Sequence, residues 1–175
     1  MGEKERIARL IEGCLKKQNL SQKALYDQYS KAMFNVAVRI LGTVPEAEDA
    51  LQESFIKMFN SLSKFDGRVS FGAWFKRITI NECLNRLRKN KLNWMEIKED
   101  IPETTTEEKE GVFTPEKLNQ AISNLPDGCR AVFTLKAFEE YKHDEIAESL
   151  GISLSTSKSQ FVRAKKLLKQ TLKSH

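Results

Sequence analysis

Helical periodicity runs along this sequence on both sides of one segment, Leu92 to Thr114, where it disappears. That interruption constrains the fold more than any other feature. Pro102, the Thr104-Thr105-Thr106 run, a cluster of glutamates and Gly111 describe a flexible, self-repelling linker. On either side, apolar residues recur three and four apart, and no stretch alternates with a period of two for long enough to make a strand. The chain is therefore predicted to be all-α, with an N-terminal helical bundle over 1–92, an acidic linker over 93–114 and a second helical domain over 115–175. With 175 residues and 40% apolar content, each side can bury a usable core.

In the first block, Ile7, Leu10, Ile11, Cys14 and Leu15 form the stripe of an amphipathic helix. A second helix opens near Ser21, runs through Leu25, Tyr29, Phe34, Val36 and Val38 to Leu41, and closes at Gly42. Its apolar second half is expected to be largely buried. Pro45 suits the start of a third helix, and Glu46, Glu48 and Asp49 favour the positive end of its dipole. Along it Leu51, Phe55, Met58 and Leu62 keep helical spacing, while Asp49, Gln52, Glu53 and Ile56 fall on a neighbouring, mostly polar face. A Gly-bearing break from Lys64 to Ser70 leads into a strongly basic helix from Phe71 to about Lys91. Its Phe71, Trp74 and Phe75, spaced three and four apart, face one side and are expected in the core rather than as stacking platforms.

Charge is unevenly distributed. Residues 1–95 carry seventeen Lys and Arg against ten Asp and Glu, residues 96–110 two against seven, and residues 111–175 ten against seven. Ile152 to His175 holds six cations and no acid, the footprint of a polyanion-binding face, although charge alone fits a solvated helix face equally well. No run reaches membrane-spanning length and the N-terminal residues lack the apolar core of a signal peptide, so a cytosolic location is expected. Cys14, Cys83 and Cys129 are odd in number and far apart, which suggests buried thiols rather than disulfides or a metal site. Nothing clusters Asp, Glu, His or Cys as catalysis would require, and no cofactor is implied.

In the last block, Leu118, Ile122 and Leu125 begin a helix, Pro126-Asp127-Gly128 makes a turn, and Cys129 to Tyr141 gives an apolar helix. Lys142 to Ser153 then reads as a helix-turn-helix. Ala147 is small where two helices cross, Gly151 permits positive φ in the turn, and Ile146, Leu150 and Ile152 pack inside. A basic helix follows from about Ser155, with Phe161, Ala164 and Leu168 on its buried side. Ser155, Thr156, Lys158, Ser159 and Gln160 would reach base edges, with Arg163, Lys165, Lys166 and Lys169 near phosphates. His143, at a helix start, is expected to face solvent or cap the helix.

Taken in order, Asp49-Ala50-Leu51-Gln52-Glu53-Ser54-Phe55, then Phe71-Gly72-Ala73-Trp74-Phe75-Lys76-Arg77-Ile78 with Asn81, then Leu125-Pro126 and the helix-turn-helix resemble an extracytoplasmic-function sigma factor. The resemblance covers about residues 7 to 170. It implies a region 2 and a region 4, a partnership with bacterial core RNA polymerase and promoter DNA, and often an anti-sigma factor. It also implies that Asp49, Gln52 and Glu53 dock on the coiled coil of the polymerase's largest subunit. Carboxylates and an amide on one helix face can pair with partner Arg and Lys, so the implication is physically sound.

By the same resemblance the basic helix and the loop before it would hold the promoter's -10 element as single strand. Lys76, Arg77, Arg86, Arg88, Lys89 and Lys91 would supply a positive groove for the backbone. Lys64, Asp66 and Arg68 of the loop, with Asn81 nearby, would form a pocket for an unstacked base. Three positions depart from the commonest pattern. Asn85 stands where Asp is frequent, Ser157 where a Val usually packs, and Gln160 where Arg is frequent, so the -35 sequence read by this chain would shift, Gln favouring adenine. In the family the linker runs through the polymerase channel, where its acids would mimic nucleic acid. No dimerisation heptad appears, and the free chain is expected to be a monomer. A helix-turn-helix repressor or activator that binds duplex DNA without polymerase remains the alternative.

Overall fold

The structure, a computed structural model, describes residues 2–90 and 114–173. Apart from Thr114 the expected linker lies outside the described residues, as do Lys91 and His175. All regular structure among the described residues is helical: α1 (Glu3–Leu15), α2 (Asn19–Leu41), α3 (Val44–Ser61), a 3-10 turn (Leu62–Lys64), α4 (Phe71–Lys89), α5 (Pro115–Ser123), α6 (Asp127–Ala137), α7 (His143–Leu150) and α8 (Leu154–Lys173). None of these helices is long and apolar enough to cross a membrane. The chain divides into two compact units, the first comprising Met1–Val38 and Val44–Arg86, the second Arg39–Thr43 and the chain from Leu87 onward.

The first unit is organised around aromatic rings. Ile7 and Cys14 of α1, Leu25 and Met33 of α2, Leu51, Phe55 and Met58 of α3, and Phe71 and Phe75 of α4 share one buried cluster. Phe75 is fully buried, with the Phe55 ring 4.7 Å away at 66° and the Tyr29 ring 6.3 Å away, edge-on geometries in which ring quadrupoles attract. Phe71 is buried and Trp74 half-buried, both against Phe65, so the aromatics of α4 lie in the core as their spacing requires. The turn between α1 and α2 brings the two backbones together at Gly13, where a Cβ would meet Ser21 Oγ at 2.0 Å. A side chain at Gly13 has no room without displacing α2.

In the α5–α8 unit, α8 is the axis. Ala121, Ile122, Leu125, Cys129, Ala164 and Leu168 form its buried cluster, with Leu118, Phe133 and Phe138 packed at the edge. Thr114 caps α5 by accepting from Lys117 N at 3.4 Å, ahead of Pro115 at the first helical position. Arg130 ties the end of α5 to α6, its Nη1 donating to Ser123 O at 3.3 Å and to Leu125 O just beyond that helix at 2.8 Å. The α6 helix ends at Ala137, four residues short of the expected Tyr141.

Candidate nucleic-acid interface

On α3 the residues Ala47, Ala50, Leu51, Ser54, Phe55 and Met58 are buried, and that fixes what faces outward. The buried Ser54 hydroxyl is satisfied because its Oγ donates to Ala50 O at 2.6 Å. The outward stripe is Asp49, Gln52, Glu53 and Ile56, all exposed and spaced three, one and three residues apart. Ile56 keeps 52% of its surface in water, an apolar side chain at the end of an acidic ridge. One helix face thus presents two carboxylates, an amide and an apolar side chain to solvent.

The loop between α3 and α4 holds Lys64, Asp66 and Arg68 on the outside. Asp66 Oδ1 accepts from Arg68 N at 3.1 Å and its Oδ2 pairs with Arg68 Nε at 3.0 Å, closing a small turn around Gly67. Ser70 then caps α4, its Oγ accepting from Ala73 N at 3.2 Å. Along α4, Arg77, Asn81, Arg88 and Lys89 are exposed and Lys76 is half-buried. Arg86 has a different setting from the one expected of a groove cation. Its Nε donates to Glu82 Oε1 at 3.0 Å and its Nη1 lies 3.9 Å from Asp49 Oδ2, so the guanidinium is drawn toward α3. The buried Glu82 was not singled out by the sequence reading, since a lone acid in a basic helix carries no periodic signal.

The helix-turn-helix is built by local rules. Lys142 N donates to Glu145 Oε2 at 2.7 Å at the start of α7, and Gly151 ends it with φ +68°, which lets Ile152 N reach back to Ala147 O at 3.0 Å. Ser153 Oγ accepts from Thr156 N at 3.0 Å and so starts α8. Ile146, Ala147, Leu150 and Ala164 are buried, with Ile152 and Phe161 half-buried at the rim. On α8, Ser155, Lys158, Lys165, Lys166 and Lys169 are exposed, and Thr156, Ser159 and Arg163 half-buried.

Gln160 contradicts its expected role. It is 4% exposed, and its Oε1 accepts from Cys129 Sγ at 3.0 Å, so its amide lies between α6 and α8 and cannot touch a base edge. The inferred preference for adenine falls with it. The signal was present, because Ser157, Gln160, Ala164 and Leu168 follow at steps of three, four and four, a buried stripe disguised by two polar residues. Accordingly Gln160→Ala is expected to lower the stability of this unit by about 1–3 kcal/mol, the cost of an unsatisfied or emptied buried polar site. Thermal melts read that loss.

His143 is half-buried at the start of α7, and it does not cap that helix, whose N-cap is Lys142. Its Nδ1 lies 2.8 Å from Ser157 Oγ and its ring stands edge-on to Phe161 at 5.6 Å, so it joins α7 to α8. Burial, then the positive charges of Lys136 and Lys158, holds its imidazole below the usual histidine range, with Asp144 opposing and Lys165 adding to the effect. The unfolded chain therefore takes up this proton first as pH falls, and folding stability declines with pH below about 6.5 until the native group also protonates. The melting temperature of the α5–α8 unit should drop between pH 7.5 and pH 5.5, and His143→Gln should flatten that drop. An unchanged slope in the variant would assign the pH dependence elsewhere.

All three thiols are buried. Burial raises the pKa of each, that of Cys83 to about 12, which leaves them protonated and unreactive.

Residues 25–92 match the family model for sigma-70 region 2, and residues 116–168 match that for sigma-70 region 4. The chain is 30% identical over 163 residues to the ECF RNA polymerase sigma factor SigW of Bacillus subtilis, covering 85% of this chain and 87% of that protein. It is 32% identical over 155 residues to the RNA polymerase sigma factor YlaC of the same organism, covering 85% and 90%. Among solved structures, the sigma factor RpoE of Bartonella quintana, in complex with the anti-sigma factor NepR, superposes with a TM-score of 0.53 at 21% identity, covering 86% of this chain and 96% of that one. At that identity the superposition supports the all-helical fold.

Proposed function

This chain belongs to the sigma-70 family and is an extracytoplasmic-function sigma factor acting in transcription initiation, and from that premise we propose how its surfaces divide the work. The stripe Asp49, Gln52 and Glu53 docks on core RNA polymerase. Lys64, Asp66, Arg68, Lys76, Arg77, Asn81, Arg88 and Lys89 hold the -10 element as a single strand. The α8 residues Ser155, Thr156, Lys158, Ser159, Arg163 and Lys166 meet the -35 duplex. Region 2 would occupy 1–92, the linker 93–114 and region 4 115–175.

The observation that carries this reading is that α3 and α8 turn opposite chemistries outward. The exposed stripe of α3 is acidic and apolar, suited to a protein partner, while the exposed side of α8 carries Lys158, Lys165, Lys166 and Lys169 with no acid on the helix. Arg163 would anchor the recognition helix on phosphates, while Lys158 and the short polar Ser155 and Ser159 would meet base edges. Strand opening would be driven by capture of flipped bases, with the phosphate part of the binding strongly salt-dependent. The protein would have no catalysis of its own and would act in the cytoplasm as a monomer until polymerase takes it up. An anti-sigma factor, the class of partner seen with the Bartonella quintana relative, would compete with polymerase for it.

The test separates the two DNA readers. In reconstituted holoenzyme, Lys158→Ala with Arg163→Ala should weaken -35 duplex binding about tenfold or more, as the loss of one base-edge and one phosphate contact requires, and leave capture of a -10 single strand unaltered. Equal losses at both elements would contradict the division.

A further inference from the structure

Glu82 is a buried carboxylate on α4, flanked by the buried Ile80, Cys83 and Leu84, and neither polymerase docking nor strand binding uses it. Its two oxygens hold cations from two helices. Lys57 Nζ of α3 donates to Oε2, and Arg86 Nε of α4 donates to Oε1 at 3.0 Å. Both cations also flank the docking stripe. Lys57 follows Glu53 by four residues, the order in which Glu and Lys pair best along a helix, and Arg86 Nη1 stands 3.9 Å from Asp49 Oδ2.

Each cation therefore has a choice of carboxylates. The Glu82 side chain is 8% exposed and that of Asp49 is 69% exposed, and a pair is stronger where water is excluded. Glu53 is exposed as well, so Lys57 settles on Glu82, while Arg86 gives Glu82 its 3.0 Å hydrogen bond and keeps a longer, 3.9 Å pair with Asp49. We propose that Glu82 is a positioning residue for polymerase docking: it holds Lys57 off Glu53 and limits Arg86 to a long, 3.9 Å pair with Asp49, so that both carboxylates can receive the cations of the partner. Without it, the carboxylates nearest to hand for the two cations are those of the docking stripe, and each pair formed there cancels a charge that docking needs. This inference rests on the reading of α3 as the docking face.

Glu82→Gln keeps the shape of the side chain and removes its charge. Binding of the full-length chain to core polymerase, followed by fluorescence anisotropy at two salt concentrations, should weaken about tenfold, with a shallower salt dependence. Circular dichroism melts establish that the variant is folded at the assay temperature. Adding Lys57→Gln should recover most of the loss, because it removes a competing cation. For a residue that merely fastened α3 to α4, the Lys57 bridge is already lost in Glu82→Gln, so adding Lys57→Gln would leave binding at the level of the single variant. The proposal is overturned if folded Glu82→Gln binds core as tightly as the parent chain, or if the double variant binds no better than the single one. Should Glu82→Gln fail to fold, the double variant, whose two amides can hydrogen-bond, carries the test. Affinity within about threefold of the parent is then expected, and a tenfold loss in the folded double variant rejects the proposal. Failure of the unaltered chain to bind core would instead reject the docking reading itself.

Discussion

Replacing Asp49 and Gln52 together by alanine is expected to weaken binding to core RNA polymerase by about a hundredfold, with a melting temperature close to that of the parent chain. Both side chains point away from the packed face of α3, where Ala50, Leu51, Ser54, Phe55 and Met58 are buried, and the exposed 3.9 Å pair of Asp49 with Arg86 adds little to stability. What they offer instead is a charge and an amide on a ridge that a cationic helix can grip with charge-assisted hydrogen bonds. Salt should reduce the parent's affinity more steeply than the variant's, because the variant has one docking charge fewer. Unimpaired binding by the double variant would move the docking face off α3.

Phe75→Ala is the opposite experiment, a large effect on stability with no surface change. The ring is fully buried among Tyr29, Phe55 and Phe71, and its truncation should cost about 3–5 kcal/mol, the loss of transfer free energy plus a cavity that the surrounding rings cannot fill. Hydrogen exchange resolves where the loss falls. Protection of α3 and α4 amides should drop sharply, while α5–α8 amides keep theirs. Polymerase binding would then fall through the unfolded population, and a temperature series separates this from the direct loss in the Asp49 and Gln52 variant.

The all-helical architecture was legible because each helix announces itself twice, by an apolar stripe and by its ends. Pro115 after Thr114 and Gly151 before Ile152 mark boundaries that the backbone then adopts, with a capping bond at one and positive φ at the other. The outward stripe of α3 was legible for the same reason, since four residues at helical spacing differ in kind from the apolar set beside them. Less legible were positions where a polar side chain is buried with a partner from another helix. Gln160 and Cys129, Ser157 and His143, and Glu82 with Lys57 are each joined across 14 to 31 residues of sequence. Periodicity assigns a residue to a face by its type, and a polar type on a buried face is assigned to the wrong side. Only the fold brings its partner near. Arg86 shows the same limit in reverse, since composition counts it as one more cation on a basic helix while geometry joins it to Glu82.

The account's central claim is that this protein works through polymerase and reads promoters only as part of that complex. Run-off transcription with purified core polymerase, on a template selected from a random library by the reconstituted holoenzyme, tests it most directly. The predicted result is a discrete transcript with core and this chain together, and none with core alone or when Asp49 and Gln52 are both alanine. Tight, sequence-specific duplex binding by the free chain, with no change in the transcripts that core produces, would contradict it and identify a repressor or activator instead.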